Sequence, residues 1–375
     1  MPSYAKFDQL LLLSGGRTLY FGKAERATAW FRSQGYDCPA NTNPADYFLA
    51  LINEDFDVYH ADVAALAAIY SSSGERSEMA KAVESSRSSP VAAMSNDYSL
   101  VRWKKVFSDL LMLSHRNLIN NVRNPGIFLV RFVMYVMLTF VIGFMYFDVR
   151  SQKNLSSINS RVSGLAFGSC FLVFMSVAVL PFFIMERPVF IRERSNGFYS
   201  PIPFAIASIL CAIPGLFIIS ITSSILVVFP AGFNGFGYFM LILFAMLFTA
   251  ETLMYLIAAI VPHYIIGIAL GAALFGFNML CMGMFKVKSD IPPWFIWGYY
   301  TGFHTYGFAA FLENEFESID SFDPSTGFAN GPAVLSYYGV DRDTKVRNIG
   351  ICFAFGFLFW VNYATALYYF HTGKR

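Results

Sequence analysis

Six apolar stretches of about 20 residues punctuate the chain, at 127–147, 162–185, 202–229, 238–261, 264–285 and 350–370. At a rise of about 1.5 Å per helical residue, each is long enough to cross a hydrocarbon core of about 30 Å. From Ser195 to Ala250 there is no charged residue, so only the PAGFNGFG turn separates the third span from the fourth, and Pro262-His263 alone joins the fourth to the fifth. Ahead of the first span the pattern is amphipathic: Val101, Val106, Leu110 and Leu113 oppose Arg102, Lys104, Lys105, Arg116 and Arg123. That arrangement predicts a helix lying at the membrane interface. Further upstream, FDQLLLLSGGRTLYFG places two apolar runs around a Gly-Gly turn, and AERATAWFRSQGY has helical spacing with Ala27, Trp30 and Phe31 on one face. A hairpin followed by a helix is expected there. Between them and the interfacial helix, a weak alanine-rich helix (DVAALAAIY) alternates with serine-rich stretches, SSSGERS and ESSRSSP, too polar to bury much apolar surface. The pattern predicts an α-helical membrane protein with six transmembrane helices and a short α/β segment at 1–52. A cytoplasmic linker at 53–98 would lead into a membrane domain at 99–375, with a connecting helix at 99–124 and an external re-entrant region and loop at 291–348.

Composition strengthens this picture. Of 375 residues 56% are hydrophobic and only 14% charged, with 41 phenylalanines, against about 25% charged in soluble domains. A net charge of +2, with basic residues gathered beside apolar runs, sets orientation in a bilayer and argues against a nucleic-acid partner. The five cysteines form no C-x-x-C pair and four lie inside apolar runs, so neither a disulfide framework nor a metal site is expected. MPSYAKFDQL lacks the basic and apolar blocks of a secretory signal, which leaves insertion to the internal spans. Arg102, Lys104, Lys105, Arg116 and Arg123 precede the first span, Arg187, Arg192 and Arg194 follow the second, and Lys374 and Arg375 follow the sixth. The positive-inside rule therefore puts both termini in the cytosol of a multi-pass protein; the plasma membrane is a separate expectation. The acidic loop carrying Glu313, Glu315, Glu317, Asp320 and Asp323, and the glycosylation acceptor Asn154-Leu155-Ser156, then face outward.

One motif invites a nucleotide-binding reading. Leu13-Ser14-Gly15-Gly16-Arg17 has the letters of an ABC signature, but phosphate recognition needs the serine and glycines to open a helix. The next residues, Thr18 to Gly22, are a β-type run, so the motif reads as a hairpin turn. No G-x-x-x-x-G-K-[ST] loop occurs in these residues.

FDQLLLLSGGRTLYFGKA and AWFRSQGYDCPANTNPADYFLALIN, with Asn43 to Phe48 in the latter, resemble the end of the nucleotide-binding domain of G-type (white-brown) ABC half-transporters. The resemblance continues through Arg123-Asn124-Pro125, the ERPVFIRERSNGFY segment after the second span, and Tyr306 to Ala310 with Asn314-Glu315-Phe316 after the fifth. It implies an ABC-2 (type V exporter) membrane domain behind a C-terminal remnant of the nucleotide-binding domain. Pro2-Ser3 resembles the pair immediately after the family's switch histidine, so the resemblance implies a start just after the catalytic part. These residues should not hydrolyse ATP alone. No cofactor is expected in this chain; ATP and Mg would enter through a complete partner, in a homo- or heterodimer. AETLMYLIAAIVPHYIIGIALGAAL and SDIPPW are most similar to plant half-transporters that export cuticular and suberin lipids, which implies a hydrophobic substrate taken from membrane lipid. The loop 313–348 has no cysteine, unlike family members with external disulfides. A second reading is a non-transporting membrane partner that regulates or traps complete half-transporters.

Several residues stand out as candidates for a site. Glu251, midway along the fourth span, costs roughly 2.5–3.5 kcal/mol to insert if uncompensated. It reads either as a polar relay or substrate contact, or as a carboxyl bonded to Thr222, Ser223 or Asn278, and it stands out as the ionisable group available within the spans. The resemblance implies coupling roles for Arg116, Glu186, Arg192, Glu193 and Arg194, with Glu186 pairing Arg116. It places Phe174 and Met279 at a central apolar cavity, and Met284 and Phe285 at the end of the fifth span as an apolar plug, with Pro292-Pro293 stopping the helix.

Overall fold

The computed structural model describes residues 4, 7–39, 42–53, 61–88 and 98–371, without the side chains of 86, 88, 98–102, 125 and 127. Pro2-Ser3, Lys374, Arg375, parts of the 53–98 segment and the side chains of Val101 and Arg102 thus lie outside the described residues. Two compact units are present, Met1–Tyr98 and Ser99–Arg375.

In the first unit β1 (Gln9–Ser14) and β2 (Arg17–Lys23) form an antiparallel hairpin. Gly15 and Gly16 both take positive φ, 53° and 74°, the geometry a tight two-residue hairpin turn demands and side chains resist. The Ser14 hydroxyl donates to the Ile52 carbonyl at 2.9 Å, so the signature-like serine is engaged within its own unit. Helix α1 (Ala24–Ser33) buries Ala27, Trp30 and Phe31, and α2 (Pro44–Ile52), started by the Asn43 side chain, stacks Phe48 on Phe31 at 4.6 Å. Helix α3 (Val63–Ser71) falls on the expected alanine-rich helix, while the serine-rich stretch departs from the expectation by forming α4 (Gly74–Ser88). Leu66 and Tyr70 of α3 are buried, the Tyr70 hydroxyl donates to the Phe21 carbonyl, and Arg26 pairs with Glu78 of α4. Packing and these bonds order a segment whose composition alone lacks the apolar area to do so.

The membrane unit opens with α5 (Tyr98–Arg123) and the first span, α6 (Pro125–Met145). Helix α7 (Leu155–Phe174), a 3-10 turn at Met175–Ala178 and α8 (Val179–Ser195) run on without a break. At 41 residues, or about 60 Å, this element is twice the thickness of a hydrocarbon core. Helices α9 (Pro201–Ala231), α10 (Phe236–Ile260), α11 (Tyr264–Cys281) and α15 (Lys345–Phe370) complete six candidate spans among the described residues. The hub is α10: 67% of its most apolar stretch is buried by protein against 22% for the first span, whose surface is left for lipid. Gly143 lets α6 close on α9, because a Cβ there would run into the Leu226 carbonyl. Such close approach at small residues is how helices associate where lipid removes the hydrophobic drive.

Two expectations for the fifth span are corrected. The helix ends at Cys281, where Gly283 with φ of 97° turns the chain, so Met284 and Phe285 lie beyond its end and Pro292-Pro293 does not stop it. The segment 291–348 is largely folded, with α12 (Ile296–Thr301), α13 (Phe303–Phe316) and α14 (Gly331–Tyr337). Helix α13 is buried almost throughout, so Glu313 and Glu315 belong to the protein interior rather than to a solvated loop.

Candidate functional site

Charged side chains gather at two levels of the membrane unit. At the end where α5 meets α8, Arg116 donates from Nη1 to both carboxylate oxygens of Glu193 at 2.8 Å, and the Tyr199 hydroxyl donates to the same carboxylate. Burial alone would lower the Arg116 guanidinium, but its bonds to Glu193 and Tyr199 hold it above its ordinary value. Burial first, and then the neighbouring carboxylate, push the Tyr199 hydroxyl up, so it stays a donor. The expected pairing of Arg116 with Glu186 is therefore corrected. The two glutamates lie seven residues apart on one face of α8, and the height of α5 selects the second.

Two more arginines of α8 act on neighbouring helix ends. Arg187 donates to the carbonyls of Ala258, Val261 and Pro262 at the end of α10. Arg194 donates to those of Leu367, Tyr368 and His371 at the end of α15. The last carbonyls of a helix lack intrahelical partners and carry its negative dipole end, so a guanidinium satisfies both. His371 lies 2.6 Å from the Ala259 carbonyl and ties the two ends to each other. Arg192 remains exposed.

Glu251 does not bond Thr222, Ser223 or Asn278. It accepts from Arg131 of α6, Nη1 to Oε1 at 3.1 Å and Nη2 to Oε2 at 2.7 Å, with the side chains 11% and 3% exposed. A two-bonded arginine–carboxylate pair compensates the insertion of both charges. Glu251 is thus one of several ionisable groups in the spans, and Arg131, inside the first apolar run, is the residue sequence reasoning missed. Two charges of opposite sign in two apolar runs were the available signal.

The second level lies at the opposite ends of these helices. Arg161 of α7 pairs with Glu315 of α13, both buried, and also donates to the Val149 and Arg150 carbonyls at 3.2 Å. The other Glu315 oxygen accepts the Asn234 backbone N–H at 2.6 Å, while Asn314 donates to the carbonyls of Asn234 and Gly235. Glu313 accepts from the backbone N–H and hydroxyl of Thr344, and Lys345 pairs with Glu317. Much of the acidic signature is spent inside the protein; Asp320 and Asp323 remain exposed. Asn154 uses its side-chain oxygen to accept from Ser157 N–H at 2.8 Å, starting α7.

The five residues expected along a substrate path do not converge. Phe174 is 38% exposed, with Phe275 at 6.4 Å, and Phe285 is 52% exposed against the edge of Phe167. Met279 and Met284 are partly buried against the main core. Glu251 instead lines a cavity of about 100 Å³ with Arg131 and Glu186, which none of the other four reaches.

Residues 108–316 match the ABC-2 type transporter family. The chain is 32% identical over 346 residues to ABC transporter G family member 1 of Petunia hybrida, covering 88% of this chain and 53% of that protein. It is 34% identical over 341 residues to ABC transporter G family member 11 of Arabidopsis thaliana, covering 84% and 48% respectively. With ABC transporter G family member 13 of the same plant it shares 31% identity over 341 residues, 81% of this chain and 50% of that one. The chain spans about half the length of the curated relatives it matches.

Proposed function

Because the chain belongs to the G family of ABC transporters and carries that family's ABC-2 membrane domain, we propose that it is the membrane-spanning half of an ATP-driven exporter of lipids or other hydrophobic compounds. It works as a homo- or heterodimer at the plasma membrane, with both termini cytosolic. An intact half supplies ATP, Mg and the nucleotide sites, whose phosphate-binding loop is not among these 375 residues.

The observation that carries this reading is the Arg116–Glu193–Tyr199 junction. It joins the helix that leads into the first span to the extension of α8, which in turn grips the ends of α10 and α15. A displacement of α5 would reach three spans through charge-assisted bonds, which are directional and stiff. Phe174, Met279, Met284 and Phe285, which do not meet within this chain, are proposed as separate apolar contacts for the substrate.

Co-reconstitution with an intact G-family half in lipid vesicles tests the proposal by ATP-dependent export of a fluorescent long-chain lipid. Export should require both chains and fall several-fold with Arg116→Gln. A partner whose ATPase activity is silenced by assembly would instead assign this chain to the trapping role. Cysteine labelling of residues 320–330 from the cytosolic side would overturn the topology.

A further inference from the structure

The 100 Å³ cavity lies within one membrane unit, among α5, α6, α8, α9 and α10. It holds about three waters' worth of space. Three carboxylates stand at this level, Glu186, Glu193 and Glu251, but only two are paired with a guanidinium: Arg116 binds Glu193 and Arg131 binds Glu251, and Arg116 acts on Glu186 only through space. Arg187 and Arg194 are committed to backbone carbonyls. Among the described residues Glu186 takes no hydrogen bond or ion pair, although it lines the cavity. Arg131 also lines the cavity, with its Nε–H sealed from it and without an acceptor. Phe128, Phe182 and Phe183 also line the cavity and supply aromatic surface.

A leftover carboxylate beside aromatic faces is the chemistry that recognises an ammonium group, and it repels an anion. We propose that this cavity binds a small ammonium head, held at Glu186. The volume admits a head of ethanolamine size, carried either by a lipid or as a free amine. The site is separate from the apolar contacts proposed above, so its failure leaves the transport reading standing.

Native mass spectrometry of the full chain in mild detergent tests this with phosphatidylethanolamine, chain-matched phosphatidylglycerol and free ethanolamine. Phosphatidylethanolamine should be retained at least fivefold over phosphatidylglycerol, and Glu186→Gln, at unchanged melting temperature, should bring that ratio near one. Displacement by millimolar ethanolamine identifies the head alone as sufficient; retention of the lipid preference without displacement identifies a lipid ligand. Equal retention of the two lipids, or an unchanged ratio in Glu186→Gln, overturns the proposal. Should that variant fail to fold, Phe182→Ala keeps every charge and must still weaken the preference, and an unchanged ratio there overturns it equally.

Discussion

The two charged levels of the membrane unit differ in how completely they are satisfied. Around Glu315 nearly every polar atom has a partner: both carboxylate oxygens, the Arg161 fork, and the amides of Asn234 and Asn314. At the α5–α8 end the Arg116–Glu193 pair is partly exposed, one carboxylate is left over and a guanidinium N–H lacks an acceptor. A fully satisfied buried network fixes one arrangement, whereas a partly filled one keeps capacity for a ligand or an alternative pairing. One end of the helices is thus built to hold its shape, and the other to change.

That contrast can be broken in graded steps. The largest effect is expected for Glu315→Gln, which leaves Arg161 buried without its counter-charge. A loss of about 3–5 kcal/mol should appear as a drop of about 10 °C in melting temperature, and a shift under about 2 °C would erase the distinction. Glu251→Gln should lose roughly 2 kcal/mol, less because the pair lines a cavity with room for water. The double change Arg131→Met with Glu251→Leu should recover most of it, since a matched apolar pair removes both desolvation penalties. Arg116→Gln should shift stability by about 1 kcal/mol or less, as expected of a half-exposed pair. Its signature is instead several-fold weaker coupling of ATP hydrolysis to export, so a pure stability defect would place the junction with the rigid level. Met284→Ala with Phe285→Ala should cost no more than a similar amount, about 1 kcal/mol of packing, and is read as raised substrate leak from vesicles.

The spans were legible because an apolar run of membrane length is difficult to bury anywhere but in a bilayer, and the hairpin because Gly-Gly between two β-type runs has one economical geometry. Pairings were not. Glu186 and Glu193 are equivalent by helical spacing, and only the level at which α5 crosses α8 distinguishes them. Arg131 hid inside a run whose average hydropathy it barely lowers, and Glu251's partner therefore came from a different helix than its hydroxyl-bearing neighbours suggested. Helix α4 was obscured for the opposite reason: serine and arginine dilute its apolar face, and contact with β2 supplies what composition withholds.

The unequal lengths of the spans bear on the lipid as much as on the protein. Helix α9 has 31 residues and α11 only 18, about 46 Å and 27 Å of helix. A bilayer of uniform thickness cannot match both: the long helix must tilt or protrude, and the short one draws the two leaflets together. Along α11, whose Ile265, Ile266, Leu270 and Leu280 are left exposed, the membrane would be thinned. A lipid crossing there would travel a shorter apolar distance than anywhere else around the molecule.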